Sequence, residues 1–442
     1  MPKIEKITAF EVLDSRGNPT VMAEIEAEGG VRGQAMVPSG ASTGRHEAFE
    51  LRDGDAKRFR GQGVLKAMAN IEGEIQAALT GKSTANQDKI DRTLLEADGT
   101  PTKSRLGANA ILAVSLACAR TEAVAQGLPL YLYLQQLFPH REATLPVPQM
   151  NLINGGRHAS NSLSIQEYHV LPIGSPSFAD ALRMGVEIYH ALREVLLEAG
   201  FQVEIADEGG FAPKLDQSES AFALLVRAVE RAGYLPGVDA FLGIDAAASE
   251  FYDAEQKLYE LDGGKISATD LAYRYKMWRE RYPLISFEDP FAEDSWDDWQ
   301  RFMKFNGQAA QVVGDDLYAT NETRIREGIV RGATNAVLIK PNQVGTLTET
   351  LQAILLAQEA GQNIIISHRS GETEDSFIAD LAVAVGAGQI KTGAPSRSER
   401  SAKYNRLLII EKTIHGKLGS SLQPFLDNVR TQYQAPAGMA VV

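Results

Sequence analysis

The stretch Ala333 to Gly345, A-T-N-A-V-L-I-K-P-N-Q-V-G, decides the fold class. Its residues Ala336 to Ile339 form a short apolar run, which is the pattern of a buried strand. Pro341 and Asn342 follow and predict that the strand ends at Lys340. This lysine has two interpretations. Either its ammonium group reaches solvent past the strand end, or the lysine is a catalytic base whose pKa is lowered so that it can release its proton.

Short apolar runs that end close to a polar residue recur along the chain after residue 148. These polar residues are Asp245, Glu288, Asp315, Lys340, His368 and Lys391, at intervals of 43, 27, 25, 28 and 23 residues. A parallel β/α unit takes roughly 30 residues. Six such units, without a glycine-rich dinucleotide fingerprint, favour a β/α barrel over an open doubly wound sheet. Because the carboxyl ends of barrel strands open on one face, we expect the six side chains to converge there.

The first part of the chain has a different organisation. Its patterns predict strands at Ile4–Val12, Val21–Ala27 and Val31–Val37, followed by helices at Gly63–Leu79, Gln87–Asp98 and Leu106–Gln126. Strands followed by helices indicate an α+β domain. The proline-rich segment Phe138–Pro148 interrupts this pattern. We therefore predict a smaller N-terminal α+β domain over residues 1–139 and a β/α barrel domain over residues 140–442.

The net charge, the cysteine count and the apolar runs of the chain limit its possible partners and compartment. The net charge of −13 argues against nucleic acid or an acidic membrane as the main partner. The single cysteine, Cys118, excludes a disulfide framework and fits a reducing cytoplasm. The first residues lack the apolar core of a signal peptide, and no run is expected to approach the length of a membrane span. We therefore expect a cytoplasmic protein in which an anionic substrate needs a local positive site.

Three carboxylates at one barrel mouth repel one another unless a cation joins them. Asp245, Glu288 and Asp315 offer only oxygen ligands, which favours Mg²⁺. The alternative is that each acid is a surface residue beside a loop, but three at consecutive strand ends favour the metal site. Lys391 and a bound metal are both expected to lower the pKa of Lys340. A neutral lysine beside Mg²⁺ suits removal of a proton next to a carboxylate.

Three further segments each have two interpretations. Ser367–Asp375, S-H-R-S-G-E-T-E-D, is either a phosphate site or a polar turn between a strand and a helix. Ala206–Pro213 carries Asp207 and Glu208 on a glycine-supported turn, where either acid could be a turn cap. Glu208 is our candidate general acid for the expulsion of hydroxide. Pro38–Arg45, P-S-G-A-S-T-G-R, is either a mobile surface loop or a lid.

The chain resembles the enolase family over nearly its whole length. The matching segments include V-L-D-S-R-G-N-P-T, S-G-A-S-T-G, L-G-A-N-A-I-L, N-G-G-R-H-A-S-N, D-E-G-G-F-A-P, F-E-D-P, V-G-D-D-L, L-I-K-P-N-Q-V-G-T, S-H-R-S-G-E-T-E-D and K-T-G-A-P-S-R-S-E-R. The resemblance implies an α+β domain on a C-terminal β/α (TIM-like) barrel that opens in β-β-α-α order. It also implies a glycolytic lyase that reversibly dehydrates 2-phosphoglycerate to phosphoenolpyruvate, with two Mg²⁺ stabilising the enolate.

The resemblance implies a role for each matching residue. Lys340 corresponds to the base that takes the C2 proton. Glu208, with Glu167 beside it, corresponds to the acid that protonates the leaving C3 hydroxyl. The ligands of the first Mg²⁺ are then Asp245, Glu288 and Asp315, and Ser42 of the lid joins a second Mg²⁺ on closure. The implied substrate contacts are Lys391 for the carboxylate, Arg369 and Ser370 for the phosphate, and His368, His158 and Gln166 along the site.

Two positions depart from the family pattern. Ala206 stands where glycine commonly precedes D-E-G-G-F-A-P, and Pro341 follows the base where many members have an aliphatic residue. Neither change removes a reacting group, so both bear on the rate more than on the type of reaction.

The family resemblance leaves alternative activities and partners open. A related lyase or epimerase acting on another carboxylate is one alternative, but the S-H-R-S and S-G-A-S-T-G segments argue against it. A secondary, non-catalytic role in surface binding or as a scaffold in RNA degradation is another, with a cell-surface or secreted fraction. The chain ends in A-V-V rather than in the lysine associated with plasminogen capture. We expect a homodimer or an octamer, with no direct binding of nucleic acid.

Overall fold

The computed structural model describes residues 2–40, 44–159, 161, 163–414, 418–419, 425 and 427. Its N-terminal part starts with an antiparallel sheet of β1 (Ile4–Leu13), β2 (Pro19–Ala27) and β3 (Val31–Met36), in that order. The helices that follow are α1 (Leu65–Asn70), α2 (Gln76–Leu79), α3 (Gln87–Asp98), α4 (Ala108–Ala125) and α5 (Leu130–Leu137). A π-helical turn at Ile71–Ile75 joins α1 to α2. The α+β organisation predicted from the sequence is confirmed.

Helix α4 forms the centre of this part of the molecule. Its small side chains allow a close approach: a Cβ atom at Gly33 of β3 would lie 2.4 Å from the backbone nitrogen of Thr121. Among the described residues, α4 is the one helix whose length and hydropathy would suit a membrane span. The expectation that no run approaches that length was therefore wrong. However, 83% of this helix is buried inside the protein, which is typical of a core helix.

The second part of the chain contains eleven further strands among the described residues. They are β4 (Val147–Asn154), β5 (Glu167–Leu171), β6 (Phe241–Asp245), β7 (Tyr252–Asp253), β8 (Leu258–Leu261), β9 (Gly264–Ile266), β10 (Leu284–Glu288), β11 (Gln311–Gly314), β12 (Ala336–Ile339), β13 (Asn363–Ser367) and β14 (Gly388–Lys391). Eight of them close a barrel in the order β10-β11-β12-β13-β14-β4-β5-β6. Strand β5 is antiparallel to both of its neighbours, and the other pairs are parallel.

Helices of the second part cover the barrel. They are α6 (Phe178–Glu198), α7 (Ser218–Arg231), α8 (Ala268–Arg281), α9 (Trp296–Asn306), α10 (Glu322–Arg331), α11 (Pro341–Val344), α12 (Leu347–Glu359), α13 (Phe377–Ala384) and α14 (Ser398–Glu411). Strands β4 and β5 precede α6 and α7, so the β-β-α-α opening is confirmed. The predicted domain boundary at residues 139 and 140 lies in the connection between α5 and β4.

A small antiparallel sheet explains the longest interval between strand ends. Strands β7, β8 and β9 form this sheet between β6 and α8. The insertion lengthens the separation of Asp245 from Glu288 to 43 residues, whereas each later unit consists of one strand and its helical connection.

The interior of the barrel changes from apolar to polar along its axis. An apolar cluster of Val147, Leu171, Ile173, Phe241 and Ile285 lies at the amino end of the parallel strands. Glutamine side chains form a hydrogen-bonded layer above it. In this layer Gln149 donates to Gln389 at 2.6 Å, and Gln389 donates to Gln311 at 2.8 Å. The carboxyl end therefore lies above a filled interior, as in other β/α barrels.

The N-terminal domain contacts the loop that follows β13. Ser39 and Gly371 exchange two backbone hydrogen bonds of 2.8 and 3.0 Å. Arg120 of α4 donates two hydrogen bonds of 2.6 and 2.7 Å to the Asp375 carboxylate. Paired, planar contacts of this kind fix orientation as well as position. The S-H-R-S-G-E-T-E-D segment is thereby held between the two domains.

Candidate active site at the carboxyl end of the barrel

A polar cavity opens at the carboxyl ends of the barrel strands. Eleven of the thirteen predicted site residues line it: His158, Gln166, Glu167, Glu208, Asp245, Asp315, Lys340, His368, Arg369, Ser370 and Lys391. Glu288 is buried beside them, with Oε1 2.7 Å from Lys391 Nζ. Ser42 lies outside the described residues. The strand-end residues therefore meet in space, as the spacing of the apolar runs predicts.

Three of these acids form a buried cluster. Asp245, Glu288 and Asp315 each present a carboxylate oxygen within 4.8 Å of the others. Burial and the charge of Asp245 raise the pKa of Glu288 well above its usual range. Its Oε2 is buried and has no hydrogen-bond partner among the described residues. An unsatisfied oxygen in an all-oxygen cluster fits a hard cation, and the donor set suits Mg²⁺.

Lys391 lies within this cluster rather than apart from it. Its Nζ is 2.9 Å from Asp245 Oδ2 and 3.2 Å from Glu167 Oε2, in addition to its contact with Glu288. Burial opposes the charged ammonium, but the three carboxylates outweigh burial and raise the pKa of Lys391 well above its usual range. A permanently charged lysine at the strand end can offset neighbouring acids or hold an anionic substrate group.

The pKa of Lys340 is raised in the protein alone, whereas the sequence interpretation expected Lys391 and a bound metal together to lower it. Lys340 Nζ forms an ion pair with Asp315 Oδ2, and the side chain is 13% exposed. Burial lowers the pKa of Lys340, and Lys391 lowers it further, but the Asp315 carboxylate outweighs both and raises it. The lysine is therefore held charged at the end of β12. Its backbone N–H donates to Thr320 Oγ1 at 2.9 Å, which fixes the strand end.

The surroundings of Glu167 and Glu208 shift their two pKa values in opposite directions. Burial and the charge of Glu208 raise the pKa of Glu167 to about 8. Burial would also raise the pKa of Glu208, but His368 and His158 outweigh it and hold that pKa well below its usual range. Asn151 Nδ2 donates to Glu208 Oε2 at 2.9 Å. At neutral pH Glu167 therefore carries a proton and Glu208 does not. The sequence interpretation assigned the acid role to Glu208 with Glu167 beside it.

His368 is held in one tautomer by a buried arginine. Arg400 Nη1 donates to His368 Nδ1 at 2.7 Å, because a guanidinium group can only donate. Burial lowers the pKa of His368 to about 4, so the neutral ring carries its proton on Nε2. That atom lies 3.4 Å from Glu208 Oε2. On the opposite side of the glutamate pair, His158 Nδ1 lies 3.4 Å from Glu167 Oε1 and 3.7 Å from Glu208 Oε1.

Arg369 already has a carboxylate partner. Its two terminal nitrogens donate to the Glu47 oxygens at 2.9 and 3.2 Å. Burial opposes the charge, but Glu47 outweighs burial and raises the pKa of Arg369. Ser370 is adjacent and buried, and Arg400 Nη2 donates to its carbonyl oxygen at 2.6 Å. The guanidinium group of Arg369 is thus arranged for a planar anion, and an incoming phosphate would compete with Glu47.

Comparison with known protein families matches both parts of the chain. Residues 4–134 match "Enolase, N-terminal domain", and residues 142–421 match "Enolase, C-terminal TIM barrel domain". The chain belongs to the enolase family. The match supports a lyase of the enolase type. Enolases use Mg²⁺, and the buried acidic clusters of this enolase are able to bind a metal.

The two departures from the family pattern are accommodated locally. Pro341 is the first residue of helix α11 and Lys340 is its N-cap. Proline suits that position because the first helical N–H has no partner within the helix. Ala206 is buried, and its N–H donates to the Gly210 carbonyl at 2.8 Å. Its φ is not positive, so the turn does not require glycine at this position.

The sequence interpretation missed several enolase site residues. Asp289 accepts hydrogen bonds from the backbone N–H groups of Asp315 and Asp316, at 3.0 and 2.7 Å. These three acids form a second cluster with oxygens within 4.8 Å of one another. The second acids of F-E-D-P and V-G-D-D-L were a signal for this cluster. Arg400 ends the matching segment K-T-G-A-P-S-R-S-E-R, but its role is visible only through its contact with His368. Glu47 lies outside the matching segments, and its contact with Arg369 is visible only in the fold.

Proposed function

We propose that this protein is a phosphopyruvate hydratase, which reversibly dehydrates 2-phosphoglycerate to phosphoenolpyruvate. One observation carries the proposal. Lys340 lines the same cavity as the Glu167–Glu208 pair, together with acids that can hold Mg²⁺. Loss of water beside a carboxylate needs a base, an acid and a means of stabilising negative charge. All three are available in this cavity.

Lys340 is the proposed base for the C2 proton. Asp315 is both its ion-pair partner and a candidate metal ligand. Bound Mg²⁺ would supply positive charge to offset Asp245, Glu288 and Asp315 and to stabilise the negative charge that develops on the substrate carboxylate. Once Asp315 is offset in this way, burial and the neighbouring cations Arg369 and Lys391 favour the neutral amine of Lys340.

The glutamate pair is the proposed source of the second proton. The C2–H bond breaks with transfer of the proton to Lys340, and the C3–O bond breaks as the C2–C3 double bond forms. The leaving hydroxide takes the proton that Glu167 carries, and departs as water. His368 and His158 stabilise the remaining carboxylates through their positions beside the pair. In the reverse direction, the same pair removes a proton from water.

Lys391, Arg369 and Ser370 are the proposed substrate-binding groups. Lys391 carries a charge that suits the substrate carboxylate, and Arg369 presents a planar pair of donors that suits phosphate. These cations provide the local positive site that a protein of net charge −13 needs for an anionic substrate.

The test is ultraviolet absorbance of phosphoenolpyruvate during incubation of the protein with 2-phosphoglycerate. We expect product in Mg²⁺ buffer and none in EDTA. Lys340→Ala should lower kcat by about 10⁴-fold, at the upper end of what a general base contributes. Lys304→Ala, at an exposed lysine of α9, is the matched control and should keep full activity. Full activity of Lys340→Ala, or of the wild type in EDTA, would overturn the proposal.

A further inference from the structure

A second cavity lies on the outside of the barrel, between helices α8 and α9. Its volume is about 380 Å³, which is within the range of sites for small organic molecules. Phe291 and Phe302 form its floor and are each only 1% exposed. Tyr273 and Phe305 stand at its rim, with exposures of 61% and 78%. Large aromatic side chains at the rim of an apolar cavity are typical of a binding surface.

Small residues on α8 keep this cavity open. Ala268 and Ala272 are one helical turn apart and line the same side of it, with Thr269 beside them. Across the cavity, Phe302 and Phe305 belong to α9. Side chains of alanine size leave room between the two helices for a flat or elongated apolar group.

One cation beside the cavity, Arg279, forms no ion pair with the described residues. Lys276 forms an ion pair with Glu280, and Arg301 forms one with Asp298. Arg279 forms no ion pair or hydrogen bond with the described residues, and its Nη1 atom is buried without an acceptor. Burial lowers the pKa of Arg279, although Glu280 opposes this effect. Burying a guanidinium group without an acceptor costs free energy, and a bound carboxylate would remove that cost.

We propose that this cavity binds a small organic monocarboxylate, with its apolar body against Phe291 and Phe302 and its carboxylate on Arg279. The two flanking ion pairs leave a single cation available, which matches one negative charge rather than several. The cavity volume lies within the range of small-molecule sites and suits a small aromatic acid. This site is separate from the carboxyl-end cavity, with which it shares no lining residue.

The test is isothermal titration calorimetry of the full-length protein with 2-naphthylacetate and with its neutral analogue, 2-naphthylacetamide. We expect the acid to bind about tenfold more tightly than the amide, since a charged hydrogen-bonded pair adds to the apolar contact. Arg279→Met keeps the apolar stem and should remove this preference. Ala272→Trp fills the cavity and should abolish binding of both compounds. Arg274→Met, at an exposed arginine of the same helix, is the matched control and should bind as the wild type does.

Three results would overturn the proposal. The first is equal affinity of the wild type for acid and amide, or no binding of either at millimolar concentration. The second is an acid preference that persists in Arg279→Met, which would mean that another cation receives the carboxylate. The third is undiminished acid binding by Ala272→Trp, which would assign the ligand to a different site such as the carboxyl-end cavity.

Discussion

At the amino end of the barrel the strands contribute an apolar cluster, whereas at the carboxyl end the same strands contribute acids and lysines. Phe241 begins β6 in the apolar cluster, and Asp245 ends that strand in the charged cavity. Strand β5 runs in the opposite direction, so its first residue, Glu167, reaches the cavity and its last, Leu171, reaches the cluster. Residues at the amino end of the barrel are therefore apolar and those at the carboxyl end are charged, in β6 and in the reversed strand β5 alike.

The two ends make opposite contributions to stability. Burial of Phe241 and its neighbours stabilises the fold at about 25 cal/mol for each Å² of apolar surface removed from water. At the other end, burial and neighbouring acids raise the pKa values of Glu288 and Asp289 well above their usual range, which shows that ionising them in place is unfavourable. The amino end therefore stabilises the fold through apolar burial. The carboxyl end does not, and its acids suit a ligand that supplies positive charge.

The largest expected effect comes from removing an acid at the carboxyl end. Glu288→Gln should lower the rate of phosphoenolpyruvate formation by about 10⁴-fold, since a metal ion contributes several kcal/mol to such a reaction. The raised pKa of Glu288 means that glutamine resembles its protonated state. The Tm in EDTA should therefore stay close to that of the wild type, while the increase of Tm on addition of Mg²⁺ should be lost.

The control for that experiment is Glu280→Gln, at an exposed glutamate of α8. It should change neither the activity nor the stabilisation by Mg²⁺. Unchanged Mg²⁺ stabilisation of Glu288→Gln would show that this acid does not belong to the metal site.

At the amino end the effect should be on stability instead. Phe241→Ala should lower the unfolding free energy by about 3 kcal/mol, the cost of a large cavity in an apolar cluster. Activity well below the lowered Tm should remain that of the wild type. Phe305→Ala, at a site that is 78% exposed, is the comparison variant and should leave the Tm nearly unchanged. A loss of activity by folded Phe241→Ala would break the separation of roles between the two ends.

The smallest expected effect is a pH dependence of stability that originates at the carboxyl end. The pKa of Glu167 is raised from 4.5 to about 8 in the folded protein. Between these values the folded protein keeps a proton that the unfolded chain releases, so the unfolding free energy falls as the pH rises. In EDTA the fall from pH 6 to pH 7 should be about 1 kcal/mol larger for the wild type than for Glu167→Gln. Parallel pH profiles of the two proteins would contradict this assignment.

Sequence patterns predicted the positions of the site acids well but not their interactions. Asp245, Glu288 and Asp315 were found because each lies at or next to the end of an apolar run of regular spacing. Helix α5 was missed because its sequence, L-Y-L-Y-L-Q-Q-L, is short, begins with alternating leucine and tyrosine as a strand could, and follows a proline. Its first turn contacts a distant part of the chain, since the Tyr131 N–H donates to Asp380 Oδ1 at 3.1 Å, 249 residues away in sequence.

The protonation states of the site depend on contacts of the same distant kind. Lys340 was expected to have a lowered pKa because Lys391 and a bound metal would lie at the same end of the barrel. The ion pair with Asp315 reverses this direction, and its geometry is set by the packing of β11 against β12. Glu47 is 322 residues from Arg369, and Arg400 is 32 residues from His368. Pairings at such separations follow from the folded structure and leave no periodic pattern in the sequence.

The central claim is that Lys340 accepts the C2 proton of 2-phosphoglycerate. Proton NMR of the substrate in deuterium oxide, with the enzyme and Mg²⁺ present, follows replacement of the C2 hydrogen by deuterium directly. The wild type should exchange this hydrogen, and Lys340→Ala should not, although both proteins remain folded. Exchange by Lys340→Ala at the rate of the wild type would contradict the claim.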